Sequence, residues 1–260
     1  MPNAKRIVVA NHKGGVGKTT ITYCLAAAKA KAGNMVLMLD MDFQCSLTIS
    51  CNMFDENGAY EQTNTCELFN PKASLPKCCL NVAASRLDNL FLVPALGRLA
   101  MMPDKITANP KLFDVFKSNI DELSKFFDYI FIDLGPTLNA LLTSSLLVAD
   151  DVIVPVKPEL ISVAGLDIFV KTIKDVQTAP AGTLGNSKLN FDGIVINMFR
   201  SVVREHNEYK EKLSNEFNVI GIIPQSAIVT KEIASGRPVT LAHPTSTAAK
   251  AFLDIANKIN

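Results

Sequence analysis

A segment near the start of the chain has the residue types and spacing of a phosphate-binding loop. Residues 12–20 read HKGGVGKTT, after the apolar run RIVVA and before an alanine-rich run that predicts a helix. The glycines permit a sharp turn whose N–H groups point at phosphate oxygens, and the helix amino terminus adds partial positive charge. Phosphate binding is therefore assigned to Lys13, Gly14, Gly15, Val16, Gly17, Lys18, Thr19 and Thr20.

The side chains of this loop differ in the chemistry they could perform. Lys18 can reach the β- and γ-phosphates of a nucleoside triphosphate, and the Thr19 hydroxyl can ligate Mg²⁺. Lys13 stands five residues before Lys18, where the general pattern usually has glycine. A second cation there can neutralise charge that develops on a transferred phosphoryl group. The alternative is a glycine-rich turn with solvated lysines.

Carboxylates follow two apolar runs that predict strands. MVLML is followed by DMDFQ, and YIFI is followed by DLGP. The carboxyl ends of parallel strands face the ligand in an open α/β sheet, so we expect Asp40, Asp42 and Asp133 near the phosphates. Asp133, after four apolar residues, fits the Walker B pattern, in which the aspartate holds Mg²⁺ through water. Alternatively, Asp40 and Asp42 cap the helix after Gln44, and Asp133 is a plain strand-end residue.

The elements that must position these residues alternate along the chain. Valine-, isoleucine- and phenylalanine-rich runs predict strands buried on both faces at Arg6–Ala10, Met35–Leu39, Leu90–Pro94, Tyr129–Ile132, Val152–Val156, Gly193–Ile196 and Val219–Ile222. Helices are predicted at Lys18–Lys31, Ala140–Val148, Val163–Val176, Glu205–Phe217 and Thr247–Ile259. This alternation predicts an α/β fold, a doubly wound and mostly parallel sheet with helices on both faces. Short helices and loops are expected over Asn52–Ser85, and a loop over Ala179–Lys188.

Composition limits the possible classes of protein. The chain has 260 residues, is 48% hydrophobic and 20% charged, and we expect one domain over residues 1–260. Lys and Arg number 26 against 25 Asp and Glu, so contact with DNA would need a local basic patch. No signal peptide or membrane-spanning run is evident. The 6 cysteines have no CxxC spacing, which indicates reduced cytosolic thiols rather than disulfides or a metal site.

Together, the loop and the carboxylates resemble the deviant phosphate loop of the ParA/MinD family of ATPases, which has the P-loop NTPase fold. The resemblance implies that Lys13 reaches across a dimer interface to the partner's nucleotide. It also implies that Asp42 orients the attacking water and that Asp40 supports the Mg²⁺ shell. Family chains carry proline at the positions of Phe43 and, usually, Gly135. We expect glycine to make that second loop more mobile.

The resemblance continues towards the end of the chain. The run VIVPVKP looks like the family's fifth strand, and GIVIN, ending at Asn197, resembles the strand whose terminal asparagine reads adenine. The run GIIP, ending at Pro224, matches the family's segment beside the base. Asn197 and Pro224 are therefore assigned to the nucleotide by resemblance. Asn197 as a satisfied turn residue is the alternative.

Within this family, the chain is most similar to the short, Soj-like ParA proteins. Residues 248–260 carry two lysines and one aspartate, which favours a helix packed on the domain over the basic membrane-binding helix of MinD. No cysteine follows Cys79, which excludes the iron–sulfur cluster of the nitrogenase iron protein. No second phosphate loop is present, as an arsenite-pump ATPase would require.

A short ParA protein is an ATP-dependent switch, and the resemblance implies the same here. ATP and Mg²⁺ would join two subunits into a homodimer that binds non-specific DNA at the nucleoid. A ParB-like centromere-binding protein would stimulate weak cytoplasmic ATP hydrolysis and so partition a plasmid or chromosome. Weak candidates for DNA contact, each with a solvated role as its alternative, are Arg200, Arg204, Lys231 and Arg237.

Two other functions stay open at this point. One is a positioning ATPase for a protein cargo, such as a chemotaxis array, flagellum or microcompartment. The other is a small-molecule synthase related to dethiobiotin synthetase, which shares the loop and the fold. A pocket for an acceptor substrate would favour the synthase, whereas Lys13 together with Asp40 and Asp42 favours the switch.

Overall fold

The computed structural model describes residues 4–55, 58–160, 163, 165–180 and 184–259. Within these ranges, one sheet has strands β1 (Lys5–Val9), β2 (Val36–Met41), β3 (Leu80–Asn81), β4 (Leu90–Val93), β5 (Tyr129–Leu134), β6 (Asp151–Val156), β7 (Asn190–Phe199) and β8 (Val219–Pro224). The strand order is β3-β4-β2-β5-β1-β6-β7-β8. Neighbouring strands are parallel, except that β3 runs antiparallel to β4.

Helices connect the strands in the described ranges. They are α1 (Lys18–Lys31), α2 (Ser46–Ser50), α3 (Leu75–Cys78), α4 (Met102–Ala108), α5 (Lys111–Leu123), α6 (Ala140–Val148), α7 (Leu166–Thr178), α8 (Arg204–Glu216), α9 (Ala227–Ala234), α10 (Val239–Ala242) and α11 (Thr247–Lys258). Short 3₁₀ helices lie at Thr65–Phe69, Ala83–Ser85 and Gly97–Met101. No helix in the part of the chain that the structure describes is long and apolar enough to cross a bilayer.

The sheet separates two apolar cores because successive strand residues point to opposite faces. On one face, Val8 joins the core formed with α5, α6 and α7. On the other face, Ile7 and Val9 join the core formed with α1 and α11. Phe252 and Ile255 of α11 are fully buried in this second core, against α1. Helix α1 therefore packs on the sheet and against α11, which itself packs on β8 of the sheet.

The predicted fold class is confirmed, and α1 has the predicted bounds. Strands β2 and β5 run further than predicted, because Asp40 pairs with Asp133 in the ladder between them. Helices α4, α5 and α9 were not predicted. The short elements expected over Asn52–Ser85 are present in its described part. Residue 164 of the helix predicted at Val163–Val176, and residues 181–183 of the predicted loop, lie outside the described residues.

The cysteines are free thiols with a packing role. All 6 lie in described parts of the chain and none forms a disulfide. Cys24 and Cys51 are buried on the α1 side of the sheet. Burial raises the pKa of the Cys24 thiol to about 12. A thiol with so high a pKa stays protonated at neutral pH and packs as a small apolar group.

Candidate nucleotide site

The phosphate loop lies at the carboxyl end of β1, in the middle of the sheet, and two asparagines hold it. Asn11 is buried and donates from Nδ2 to the Pro155 carbonyl at 2.7 Å, while its Oδ1 accepts the Lys13 N–H at 3.0 Å. Asn197 donates from Nδ2 to the Val16 carbonyl at 2.8 Å. Both ends of the loop are thus tied to strands β6 and β7. The sequence analysis did not single out Asn11, because its partner is far away in the chain.

The glycines of the loop are needed for two separate reasons. Gly15 and Gly17 have φ values of 71° and 90°, a left-handed backbone that side chains rarely adopt. At Gly17 there is also no space, because a Cβ would lie 2.2 Å from Nδ2 of Asn197. Nothing lies within 4 Å of a Cβ at Gly14 or Gly15. The Gly14–Gly15 part of the loop is exposed and open to a ligand.

The two lysines of the loop lie in different environments. Lys18 is buried, and its Nζ donates to the Lys13 carbonyl at 3.1 Å. Burial lowers the pKa of Lys18, while Asp133 and Asp42 act to raise it. The Lys13 side chain is half-buried, and no carboxylate of the described residues pairs with it. Lys18 is therefore directed into the loop, and the Lys13 charge is free to meet another group.

Asp133 lies beneath the loop and faces helix α1. Thr19 Oγ1 donates to its Oδ2 at 2.7 Å, and Thr22 Oγ1 donates to its Oδ1 at 3.3 Å. Burial and the neighbouring Asp40 raise the pKa of Asp133 to about 8, although the Thr19 hydrogen bond and Lys18 act to lower it. A carboxylate in this position favours an added cation, because burial penalises its uncompensated charge.

This hydroxyl–carboxylate pair fits a magnesium ion. Mg²⁺ usually takes one or two protein oxygen ligands and completes its shell with water and phosphate oxygens. Thr19 and Asp133 supply such oxygens beside the phosphate loop. Among the described residues there is no group of three or more His, Cys, Asp or Glu side chains that could hold a metal without those additional ligands. The arrangement suits an ion that arrives with a nucleotide.

Asp40 makes contacts that belong to the packing of α2. Its Oδ2 accepts the Thr48 N–H at 2.8 Å and the Thr48 hydroxyl at 2.7 Å, and its Oδ1 accepts the Asp42 N–H at 3.1 Å. Burial raises the pKa of Asp40 to about 6. These contacts support the alternative in which the aspartate holds the helix after Gln44. Its participation in a magnesium shell stays a prediction.

Asp42 lies above the end of β5. Its side chain is buried, and its Oδ1 accepts the Gln44 N–H at 3.0 Å. Gly135 is the first residue after β5. It lies so close to Asp42 that a Cβ at position 135 would be 3.0 Å from Oδ1 of Asp42. The structure therefore brings Asp42 to the same edge of the sheet as Asp133, as the sequence predicts, and adds a contact with Gly135 that was not predicted.

A cleft adjoins the phosphate loop on the β7–β8 side. It has a volume of about 490 Å³. Its lining comes from α1, the segment after α2, the ends of β7 and β8, and α9, and includes Thr20, Phe54, Asn197, Met198, Pro224 and Val229. Asn197 lies within β7, and its Oδ1 accepts the Met198 N–H at 2.9 Å. Its assignment to the nucleotide stays a prediction. A mostly apolar cleft beside a phosphate loop has the size and chemistry to take a nucleoside.

Of the four basic side chains proposed for DNA contact, two form salt bridges with described residues and two do not. Arg204 pairs with Glu208 at 2.8 Å, and Arg237 pairs with the buried Glu232 at 2.6 Å. Arg200 and Lys231 are exposed and form no salt bridge with described residues. Helix α8 is not basic overall, since it carries Arg204, Lys210 and Lys212 against Glu205, Glu208, Glu211 and Glu216.

These observations define a class of protein. A phosphate loop between β1 and α1 of a parallel sheet, with an aspartate of the adjacent strand bonded to the loop threonine, is the architecture of a P-loop nucleoside triphosphatase. Residues 4–191 match the AAA_31 family model, described as an AAA domain, so the chain belongs to that family. It is a member of the ParA/MinD group of P-loop ATPases.

Relatives with similar sequences cover almost the whole chain. The sporulation initiation inhibitor protein Soj of Bacillus subtilis is 27% identical, with 98% of each chain covered. Among solved structures, a putative plasmid partition protein of Borrelia burgdorferi, bound to AMPPNP, has a TM-score of 0.79 and 25% identity. That alignment covers 98% of this chain and 97% of the other. The chain is therefore similar, over almost its whole length, to proteins of this kind.

Two further solved structures share the fold. McdA of Cyanothece has a TM-score of 0.83 and 19% identity, with 98% of this chain and 99% of the other covered. Cobyrinic acid a,c-diamide synthase of Mycobacterium smegmatis, with bound ADP and magnesium, has a TM-score of 0.78 and 24% identity. Its alignment covers 98% of this chain and 93% of that structure. The shared fold therefore does not by itself identify the function.

Proposed function

We propose that this protein is an ATPase that dimerises when it binds ATP and that partitions plasmid or chromosomal DNA. The observation that carries the proposal is the placement of the two loop lysines. Lys18 is buried in the phosphate loop, while the Lys13 charge faces no carboxylate of the described residues. An enzyme that acts as a monomer needs the lysine at position 18. A further lysine at position 13, with no acidic partner, could instead bind a phosphate group presented by a second subunit.

ATP and magnesium are the proposed ligands of the site. The loop amides and Lys18 would hold the phosphates, and Thr19 with Asp133 would hold Mg²⁺, which supplies positive charge to the phosphates when bound. The cleft beside Asn197 and Pro224 would take the adenine. Bound AMPPNP in the Borrelia burgdorferi partition protein supports the nucleotide assignment. Bound ADP and magnesium in the Mycobacterium smegmatis synthase are consistent with the metal.

Asp42 is the residue proposed to orient the water that attacks the γ-phosphate. It lies at the same sheet edge as Asp133, with its carboxylate fixed on one side by Gln44. A protein contributes to phosphoryl transfer mainly by positioning the reactants, the attacking water included, and by stabilising charge in the transition state. With Lys13, Lys18 and Asp42 as the catalytic residues, hydrolysis would be slow until a partner completes the arrangement.

The proposed cycle joins this site to DNA. The ATP dimer would bind non-specific DNA at the nucleoid, and a ParB-like centromere-binding protein would stimulate hydrolysis and release it. Arg200 and Lys231 are available for DNA phosphates, whereas Arg204 and Arg237 would first have to leave Glu208 and Glu232. A cytoplasmic location follows from the same proposal. A positioning ATPase for a protein cargo is the other candidate, since a fold and a nucleotide site do not by themselves identify the cargo.

The direct test uses Lys13→Ala in an Asp42→Ala background, where hydrolysis is slowed. Loss of Lys13 leaves Lys18, Thr19 and the loop amides in place, so ATP should still bind with a modest loss of affinity. Light scattering should show an ATP-dependent dimer for Asp42→Ala alone and a monomer for the double variant. A double variant that stays dimeric in ATP would remove Lys13 from the interface.

DNA retention separates the two candidate functions. The dimeric Asp42→Ala protein should retain non-specific duplex DNA in ATP but not in ADP. Retention should weaken steeply as salt rises, because phosphate contacts release counterions. An ATP dimer that retains no DNA even at low salt would favour the positioning ATPase for a protein cargo.

A further inference from the structure

The segment that follows α2 forms part of the wall of the cleft beside the phosphate loop, and it carries Phe54. Before Phe54, the Met53 N–H donates to the Thr48 carbonyl at 3.1 Å, and the Met53 side chain packs against the core on the α1 side of the sheet. After Phe54, Oδ1 of Asp55 accepts the Tyr60 N–H at 2.7 Å. The backbone that carries Phe54 is therefore held on both sides.

Another part of the wall comes from α9, which contributes Val229. The turn after α9 meets the segment after α2, because a Cβ at Gly236 would lie only 2.6 Å from Cβ of Asn52. Gly236 has a φ of 74°, so neither its backbone nor the space beside it suits a larger residue. Phe54 follows this contact by two positions and is 52% exposed. A side chain that lines the cleft and is half exposed lies at its mouth.

Asn197, the side chain assigned to the base by resemblance, already has partners in the protein. It is buried, its Nδ2 donates to the Val16 carbonyl at 2.8 Å, and its Oδ1 accepts the Met198 N–H at 2.9 Å. Binding of a base in this cleft therefore needs further contacts. A nucleobase has two broad faces, and an aromatic ring packs well on such a face.

We propose that Phe54 packs against a face of the nucleobase and contributes directly to nucleotide affinity. Among the described residues that line the cleft, Phe54 is the only one with an aromatic side chain. Isolated exposed apolar side chains are common on proteins, but this one borders a mostly apolar cleft of nucleoside size. The inference rests on the proposed function, in which this cleft takes the adenine. Because every base has a face for stacking, Phe54 supplies affinity rather than a choice among bases.

Phe54→Ala is the first test, with MgADP as the ligand because the proposed dimer forms in ATP. Isothermal titration calorimetry should show MgADP affinity lower by about 5- to 150-fold, since stacking of one base is lost. Magnesium tripolyphosphate has no base, so its affinity should stay within about twofold of the parent. Phe54→Tyr keeps the ring and should bind MgADP within about twofold of the parent.

Phe126→Ala is the matched control. Phe126 is 60% exposed, as Phe54 nearly is, but it lies between α5 and β5 and does not line the cleft. Its loss should leave the affinity for both ligands unchanged. Without nucleotide, the melting temperature of Phe54→Ala should stay within about 2 °C of the parent, because an exposed side chain is removed. A lower affinity for MgADP is then not a result of unfolding.

Phe54→Trp supplies a spectroscopic readout, because the chain contains no other tryptophan. Stacking of a base on the indole ring should quench its fluorescence. MgADP should therefore quench the emission of Phe54→Trp, whereas magnesium tripolyphosphate should not. Phe126→Trp should respond to neither ligand. Emission of Phe54→Trp that does not change at saturating MgADP would overturn the contact with the base.

The two ligands also separate this inference from the proposed function. If the parent binds neither MgADP nor magnesium tripolyphosphate, the nucleotide site itself fails, and the role of Phe54 fails with it. If the parent binds both and Phe54→Ala keeps the parent affinity for MgADP, only the role of Phe54 fails. An equal loss of affinity for both ligands would also overturn that role, because Phe54 would then act on the phosphate loop.

Discussion

The two sides of the nucleotide edge are built from different kinds of polar contact. Around the phosphate loop, polar groups are buried and hold each other across long stretches of chain, as Asn11 holds Pro155 and Thr19 holds Asp133. Around α8, charges are exposed and pair with neighbours nearby in sequence, as Arg204 does with Glu208. Buried contacts of the first kind fix atoms in place, whereas exposed pairs of the second kind can exchange partners at little cost. The fold therefore fixes the positions of the polar groups around the phosphate loop, whereas it does not fix the positions of the exposed charges.

Loss of Lys18 should produce the largest effect on the phosphate side. Lys18→Ala removes the buried cation from the loop, and each charge-assisted hydrogen bond to phosphate contributes about 1.5–3 kcal/mol. We expect ATP affinity to fall about 100-fold or more, measured by isothermal titration calorimetry with Mg²⁺ present. Lys31→Ala, at the exposed far end of α1, is the control and should bind ATP as the parent does. Retention of parent affinity by Lys18→Ala would contradict the loop assignment.

Asn11 tests whether the buried network itself holds the loop. Asn11→Ala removes hydrogen bonds to Pro155 and Lys13 and leaves a buried carbonyl without its donor, which costs about 1–3 kcal/mol. The melting temperature should fall by about 2–4 °C for each kcal/mol lost. ATP affinity should fall about tenfold, because the loop loses its tie to β6. Asn109→Ala, at an exposed position after α4, should change neither quantity.

The smallest effects are expected on the surface side. Arg204→Ala breaks an exposed pair, so the free energy of unfolding should change by less than about 0.5 kcal/mol. If the ATP dimer binds DNA through this region, Arg200→Ala should lower the salt dependence of binding by about one counterion. Arg204→Ala should lower it less, because Glu208 competes for the charge. Fluorescence anisotropy with a labelled duplex at several salt concentrations measures the salt dependence of DNA binding for each variant. An equal salt dependence for Arg200→Ala and Arg204→Ala would contradict the expected difference between the two arginines.

Sequence predicted the parts of the site whose residues are close together in the chain. Lys18 and Thr19 follow from a continuous loop, and Asp133 follows from an apolar run that ends in a carboxylate. Sequence did not predict the contacts that cross the fold, such as Asn11 with Pro155 or Asn197 with Val16. Those partners depend on which strands become neighbours, and a single sequence does not state that order.

The same difference appears in the helices. Helix α1 was predicted with the observed bounds because glycines mark both of its ends. Helix α5 was missed although Phe116, Ile120 and Leu123 have helical spacing and are buried. Gly135 was interpreted from glycine's backbone freedom, and its effect on the mobility of the loop stays a prediction. Its closeness to Asp42, with an ideal Cβ position 3.0 Å from Oδ1, could not be read from the sequence.

The packing of α1 against the sheet and α11 bears on how the protein folds during synthesis. The phosphate loop is synthesised before the elements that support it, since β1 pairs with β5 and β6, and α1 packs on Phe252 and Ile255. Lys29 of α1 also donates to the Ile259 carbonyl. The pairs of β1 join residues 124 and 144 positions apart, and the contacts of α1 with α11 join residues more than two hundred positions apart. Such a high contact order favours slow folding. A growing chain can complete the packing around α1 only after α11 has been synthesised, so the phosphate loop is made well before its supporting contacts form.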